Sequence, residues 1–285
     1  RAVDENGTVI IYLGTYEETK EVKIIRDGMT LQGIDAENTR IGSSANSTVN
    51  IEATGAVIEN LQIESARYRA FSAYRNGDHS VIRNNIIRGG GRGLDINTAD
   101  QLEIYGNVID VNTDGAAAEV VGDHTVFRDN QVNRDPDFRA GNGVILRGNQ
   151  VLVENNIIGD ETSRNVSFNA LYISSDTATI HNNIVNNYVT GINVNPLDDD
   201  LFGFVTISNN TFGNVTGNNG GQSDGMRISR IDSAVVINNY IKAGSDLRRG
   251  INLTNSGGMV YNNRITVNRF RSFYYYFAEQ EASPD

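Results

Sequence analysis

An asparagine pair set between apolar residues recurs along the chain: IRNNII at 82–87, VENNII at 153–158, IHNNIV at 180–185, ISNNTF at 207–212, VINNYI at 236–241 and VYNNRI at 260–265. Aligned on the second residue of the pair, the series runs Asn85, Asn107, Asn130, Asn156, Asn183, Asn210, Asn239 and Asn263, with Leu61 of IENLQI in the same place. Successive steps are 22 to 29 residues. A period in that range marks a solenoid, in which each repeat is one coil that buries its apolar face only by stacking on its neighbours.

A second mark follows the pairs: GLDI at 93–96, GVIL at 143–146, ALYI at 170–173, GINV at 191–194, GMRI at 225–228 and GINL at 250–253. From mark to next asparagine the distance is 13 or 14 residues in five cases, and the sixth holds the insertion NPLDDDLFG. From asparagine to following mark it varies between 8 and 15. One side of each repeat is therefore fixed in length and the other is a variable loop. Within the marks apolar and polar residues alternate, the period-2 pattern of a strand, and no segment sustains a 3.6-residue period. Parallel strands stacked coil on coil are the predicted architecture. At φ-x-N-N-x-φ two strands meet in a tight corner, where asparagine suits a left-handed backbone and stacked asparagines can hydrogen-bond along the axis.

Composition excludes several classes. The chain of 285 residues has 39% hydrophobic content, enough for a core, and no run long enough to span a bilayer as a helix. It contains no cysteine, so disulfides, thiolate metal sites and a cysteine nucleophile are excluded. The net charge of −11 argues against a nucleic-acid partner. Lysine occurs only at 20, 23 and 242, an acidic, lysine-poor balance like that of proteins from salty surroundings. The first residue is Arg1, and the numbering is expected to begin after a processed or trimmed segment. N-x-S/T sequons begin at Asn6, Asn46, Asn165, Asn209, Asn214 and Asn252, as an extracellular or cell-surface glycoprotein would have.

With its asparagine repeat, the opening GTVIIYLGTYEETKEVKI and the following MTLQGIDAENTRI, the sequence resembles the pectin-lyase-like superfamily of right-handed parallel β-helix proteins, over about residues 6 to 267. The resemblance implies an all-β fold: a single right-handed parallel β-helix over 1–267, with an irregular segment over 268–285. It also implies activity on a polysaccharide. The Q-D-T-L and D-F-I-F-G stretches of pectin methylesterases, the D-P-H-E of mannuronan epimerases and the G-H-G and R-I-K of polygalacturonases are absent.

Three consecutive variable loops are charged: VIDVNTDGAAAE with Asp110 and Asp114, NRDPDFRAGNG with Arg134, Asp135, Asp137 and Arg139, and GDETSRN with Asp160, Glu161 and Arg164. RDPDFR at 134–139 fits the R-x-P-x-x-R pattern of one pectate lyase family. That resemblance implies Arg134 as the base that abstracts the proton α to a uronate carboxylate and Arg139 as a substrate clamp. Arg164 and Arg92 are candidate substrate-binding residues. Asp110, Asp114, Asp135, Asp137, Asp160 and Glu161 are candidate Ca²⁺ ligands, since a bound cation neutralises the uronate and acidifies its α-proton. A solvated loop with internal ion pairs is the competing reading.

The three histidines carry no catalytic signature: His79 and His124 occupy like positions two coils apart, and His181 is an outward residue. RGGGRG at 88–93 reads as a tight loop, and Asp198, Asp199 and Asp200 as an acidic tip or cation loop. The aromatics Phe270, Phe273, Tyr274, Tyr275, Tyr276 and Phe277 suit either a cap on an open solenoid end or a homo-oligomeric contact. Two functions follow: a Ca²⁺-assisted lyase on an acidic polysaccharide, or a non-catalytic surface, appendage or virion-spike rod.

Overall fold

Each repeat folds into three short strands joined by three corners. The computed structural model describes residues 4–74, 76–111, 115–134, 141–159, 169–197, 203–215, 223–243, 247 and 249–266. Among these, 32 strands form three wholly parallel sheets of 11, 11 and 10 strands, here A, B and C, and there is no helix. One coil illustrates the plan: Val81–Arg83 lies in sheet A, Ile86–Gly89 in sheet B and Arg92–Asn97 in sheet C. Strands pair with their counterparts one coil away and keep register apart from a shift between Phe212 and Val215, so equivalent residues form columns along the axis.

Inward columns make the core. Ile82, Ile104 and Phe127 stack in sheet A, Ile87, Ile109 and Val132 in sheet B, and Leu94, Ala118 and Val144 in sheet C, all fully buried. The glycine of the second mark has a steric cause. A Cβ on Gly191 would lie 2.4 Å from Cδ1 of Phe212, and one on Gly250 would lie 2.5 Å from Cδ1 of Ile265. In both cases a large inward side chain of sheet B in the following coil fills the space the glycine leaves.

The two residues of the asparagine pair divide the work at the corner from sheet A to sheet B. The first takes the left-handed backbone: Asn84, Asn155, Asn182, Asn209, Asn238 and Asn262 have φ of 53° to 58°, and Asp129 and Gly106 do the same at 54° and 65°. The second forms the ladder and is buried from Asn85 to Asn239. Asn156 is fully buried, and its Oδ1 accepts from the backbone N–H of Asn130 at 2.9 Å and from Asn130 Nδ2 at 3.1 Å. Its Nδ2 donates to the Phe127 carbonyl and to Asn183 Oδ1, both at 2.9 Å. The pattern repeats without a break from Asn85 to Asn263, and Leu61 joins it only through its backbone N–H, which donates to Asn85 Oδ1.

The corner from sheet C to sheet A has its own left-handed column. His79, Gln101, His124 and Gln150 have φ of 55° to 58°, and the Asp78, Asp100 and Asp123 carboxylates each accept a backbone N–H from the next coil. The two GDH segments are thus corner residues of equivalent coils, and RGGGRG is a tight connection between the sheet B strand ending at Gly89 and the sheet C strand starting at Arg92.

Asn156→Ala would orphan the buried Asn130 N–H, break both amide links of the ladder and leave a cavity, and is expected to cost roughly 3–5 kcal/mol. Asn155→Ala, which only strains the left-handed corner, should cost about 1–2 kcal/mol. Asn155→Gly should be nearly neutral. Urea unfolding of the three variants tests this ranking, and equal losses at 155 and 156 would contradict the division of roles.

Candidate functional site

The corner from sheet B to sheet C is the variable one, so its loops border the outer face of sheet C. Three outward columns run along that face, one of them holding Val121, Arg147, Ser174 and Asn195. The central column includes Asn50, Ser72, Asp95, Glu119, Ile145, Tyr172, Asn193, Arg227 and Asn252. The column nearest the loops includes Arg69 and Arg92, then Asn169, Thr190, Asp224 and Arg249.

Charge concentrates at two places on this face. Asp95 points away from the core yet is only 1% exposed, because other side chains cover it. It pairs with Arg69 Nε, accepts from Arg92 Nη1 at 2.8 Å and accepts from the Tyr74 hydroxyl at 2.9 Å. The same Arg92 Nη1 lies 2.8 Å from Glu119 Oε2, and Arg147 pairs with the other Glu119 oxygen. The Arg69 guanidinium stands over the Tyr74 ring, and that of Arg147 over Tyr172. One arginine therefore joins two carboxylates of adjacent coils, and a second arginine braces each carboxylate. Farther along, Asp224 is fully buried and holds Arg249 Nε at 2.7 Å and Arg227 Nε at 2.8 Å, with Asn252 Nδ2 at 3.2 Å.

These carboxylates already hold arginines, so their role is to fix guanidinium groups in place. Five arginines surround Asp95, Glu119 and Asp224. The network around Asp95 and Glu119 sets three guanidiniums against two carboxylates on a chain whose net charge is −11, a local concentration of cationic groups on an otherwise acidic molecule.

The sequence and its fold match known proteins as follows. The family model for a right handed beta helix region matches residues 22–158. Among solved structures, DFA-IIIase from Arthrobacter chlorophenolicus A6 without its lid is similar at 15% identity over 92% of this chain and 79% of that one, with a TM-score of 0.70. The chain is a right-handed parallel β-helix. The Agl-KA catalytic domain is similar at 12% identity, covering 92% of this chain and 63% of that one, TM-score 0.65. The PL6 family alginate lyase AlyGC shares 17% identity over 88% of this chain and 38% of that one, TM-score 0.61. The β-helix thus spans under two thirds of the Agl-KA domain and well under half of AlyGC, and at these identities the likeness is one of fold. No curated protein matches the sequence.

Of the residues singled out from sequence, Arg92 stands at the centre of the sheet C network. Asp110 lies on the outer face of sheet B, 3.6 Å from Arg88 and accepting from Asn133 Nδ2 at 2.7 Å. The backbone of Arg134 ends the sheet B strand Gln131–Arg134, whose coil continues into the sheet C strand carrying Arg147. Asp114, Asp135, Asp137, Arg139, Asp160, Glu161 and Arg164 lie outside the described residues, as do Asp198 to Asp200 and the aromatic segment from Phe270 to Phe277. Among the described residues no group of three or more His, Asp or Glu is placed to hold a metal ion. His181 pairs with Glu154 at 2.7 Å on the outer face of sheet A. Of the sequons, Asn6, Asn46 and Asn209 are exposed, whereas Asn252 is buried beside Asp224. Among the described residues no helix is long and apolar enough to cross a membrane.

Sequence reasoning missed Arg69, Tyr74, Asp95, Glu119 and Arg147. Only Asp95 had a local signal, as the outward letter of GLDI, and its column one coil away leads to Glu119.

Burial raises the Tyr74 phenol above its ordinary value, and its hydrogen bond to Asp95 adds to this, with Arg69 and Arg92 opposing. The folded state then holds the phenolic proton more tightly than the unfolded state. Its contribution is complete below the unfolded pKa of about 10 and is lost as pH rises through the higher folded value. Tyr74→Phe is expected to flatten the alkaline fall of the unfolding temperature while leaving the neutral plateau little changed. An unaltered alkaline limb would remove Tyr74 from this role.

Proposed function

We propose that this β-helix is an extracellular or cell-surface protein that binds an acidic polysaccharide across the outer face of sheet C and the loops entering it, and cleaves it by β-elimination. The observation that carries the reading is the sheet C network, in which five arginines are held in fixed geometry by buried or half-buried carboxylates on an acidic molecule. A guanidinium fork locked on one side by a carboxylate is pre-organised to meet uronate groups on the other, and loses less entropy on binding than a free side chain. Tyr74, 42% exposed, and Tyr68, 50% exposed, offer ring faces to sugars beside it. A PL6 alginate lyase among the similar folds is compatible with this chemistry.

The RDPDFR segment begins at Arg134, the last residue of the strand Gln131–Arg134, and precedes in sequence the strand bearing Arg147. In the proposed step Arg134, acting from its deprotonated form, takes the proton α to the uronate carboxylate. The C–H electrons form the double bond to the neighbouring ring carbon, and the glycosidic oxygen leaves from that carbon and is protonated. Arg139, Arg164 and Arg92 orient the substrate carboxylates. A Ca²⁺ ion held by Asp110, Asp114, Asp135, Asp137, Asp160 and Glu161 would neutralise the uronate and acidify its α-proton.

Ultraviolet absorbance of the unsaturated product, followed on a panel of uronate polysaccharides with and without chelator, tests the proposal. The expected result is a chelator-sensitive rise that Arg134→Ala reduces by at least about a hundredfold, the scale of a lost general base. Binding without any rise would leave a polysaccharide-adhesive rod, and neither binding nor product would remove the acidic polysaccharide altogether.

A further inference from the structure

The two arginines of RGGGRG stand on different sheets. Arg88 belongs to the sheet B strand Ile86–Gly89, and Arg92 begins the sheet C strand Arg92–Asn97. Only Gly90 and Gly91 lie between the strands. The Gly90 N–H donates to the Ser65 carbonyl at 2.9 Å, and those of Gly91 and Arg92 donate to the Tyr68 carbonyl at 2.8 and 2.7 Å, so the connection lies flat on the coil before it. A Cβ on Gly90 would come within 2.6 Å of the Ala66 carbonyl oxygen, and one on Gly91 within 2.6 Å of that of Tyr68. No side chain stands on the rim there. The coil before it is joined through Ala66, Arg67 and Tyr68, with Arg67 exposed, whereas the next three connections are the longer 112–117, 135–143 and 159–168.

Exposed cations continue on both sides of this low rim. On sheet B, Arg88 keeps 48% of its side chain in solvent and meets Asp110 only at 3.6 Å, while Glu64, beside it in the sheet, holds Arg40 at 2.8 Å. On sheet C, Arg69, Arg92 and Arg147 keep 36% to 37% of theirs. Arg92 and Arg147 reach the Glu119 carboxylate from opposite edges of the face. Arg147 occupies the register of Val121 and Asn97, at the far end of the strand that Arg92 begins and two coils on. At about 3.3 Å per residue that crossing is roughly 17 Å. Along the axis, by contrast, the outward residues flanking Asp95 and Glu119 in the central column are covered, Ser72 at 1% and Ile145 at 8% exposure. The exposed guanidiniums therefore run obliquely across the sheet, and at the opposite edge the corner 148–150 is short again.

Resting on the reading of sheet C given above, we infer that Arg67 and Arg88 extend the binding face over the rim at Gly90 and Gly91, so that one acidic polysaccharide strand passes from sheet B across Arg69 and Arg92 toward Arg147. Guanidinium groups spaced along this path meet successive carboxylates of one strand, and each further contact is made within a complex already formed. A trisaccharide is accommodated on sheet C alone. A longer strand also reaches Arg67 and Arg88 and binds more tightly. Both edges it crosses are short connections, so the strand leaves the face at each side and an internal stretch of polymer, rather than a chain end, is held.

Calorimetric titration of the full chain with size-defined oligouronates, in chelator to suppress turnover, tests this. The double variant Arg67→Gln, Arg88→Gln alters two exposed side chains and should fold normally. It is expected to bind decamers at least about fivefold more weakly than the unmodified protein, the scale of two lost surface charge contacts, and to bind trimers with unchanged affinity. Arg128→Gln, which removes a positive charge from the outer face of sheet A, should alter neither. Undiminished decamer binding by the double variant, or an equal loss in Arg128→Gln, would overturn the path over the rim and leave the reading of sheet C intact. No binding of either length by the unmodified protein would overturn both.

Discussion

The coils from Asn85 to Asn263 depend on one repeated interaction, the amide-to-amide hydrogen bond between asparagines of successive coils. Each link satisfies a backbone N–H and a side-chain amide that would otherwise be stranded in the core, and adds a second donor to a strand carbonyl, as the four contacts of Asn156 show. The column holds the sheet A to sheet B corner at constant length. With that corner fixed, the strands on either side stay in register, and the opposite corner is free to carry loops of differing length without disturbing the core.

Sheet C turns this regularity into local electrostatics. In a parallel stack any outward residue faces its counterpart one coil away, so an arginine on one coil and a carboxylate on the next meet without a special loop. Arg92 uses the geometry twice, once within its own strand and once across to Glu119. The acidity of the whole chain is not expressed at these points of sheet C, because Asp95 and Asp224 are buried beneath the arginines they hold.

The fold was legible in the sequence because both of its marks have steric causes. Asparagine at 84 and 85 reports a left-handed corner and a ladder rung, and glycine at 191 and 250 reports a sheet B side chain that needs its space. The finer assignment, that the first asparagine bends and the second bonds, required backbone angles, since spacing alone cannot separate adjacent identical residues. The ion network was less legible. Arg69 and Asp95 are 26 residues apart, and Arg92 and Glu119 are 27 apart, separations that bring side chains together only when the coil register is known. RDPDFR was conspicuous as a local string, while Glu119 and Arg147 had no local context to announce them.

The orientation of the ladder has a mechanical consequence. Its bonds, like those of all three sheets, run along the solenoid axis, and the strands lie across it. Tension applied through the chain ends would therefore open the terminal coil one bond at a time, as a zip opens, and the core beyond it would stay closed. A load that shears one coil across the next would meet the whole row of bonds at once. The molecule is compliant to peeling and stiff to shear across its coils.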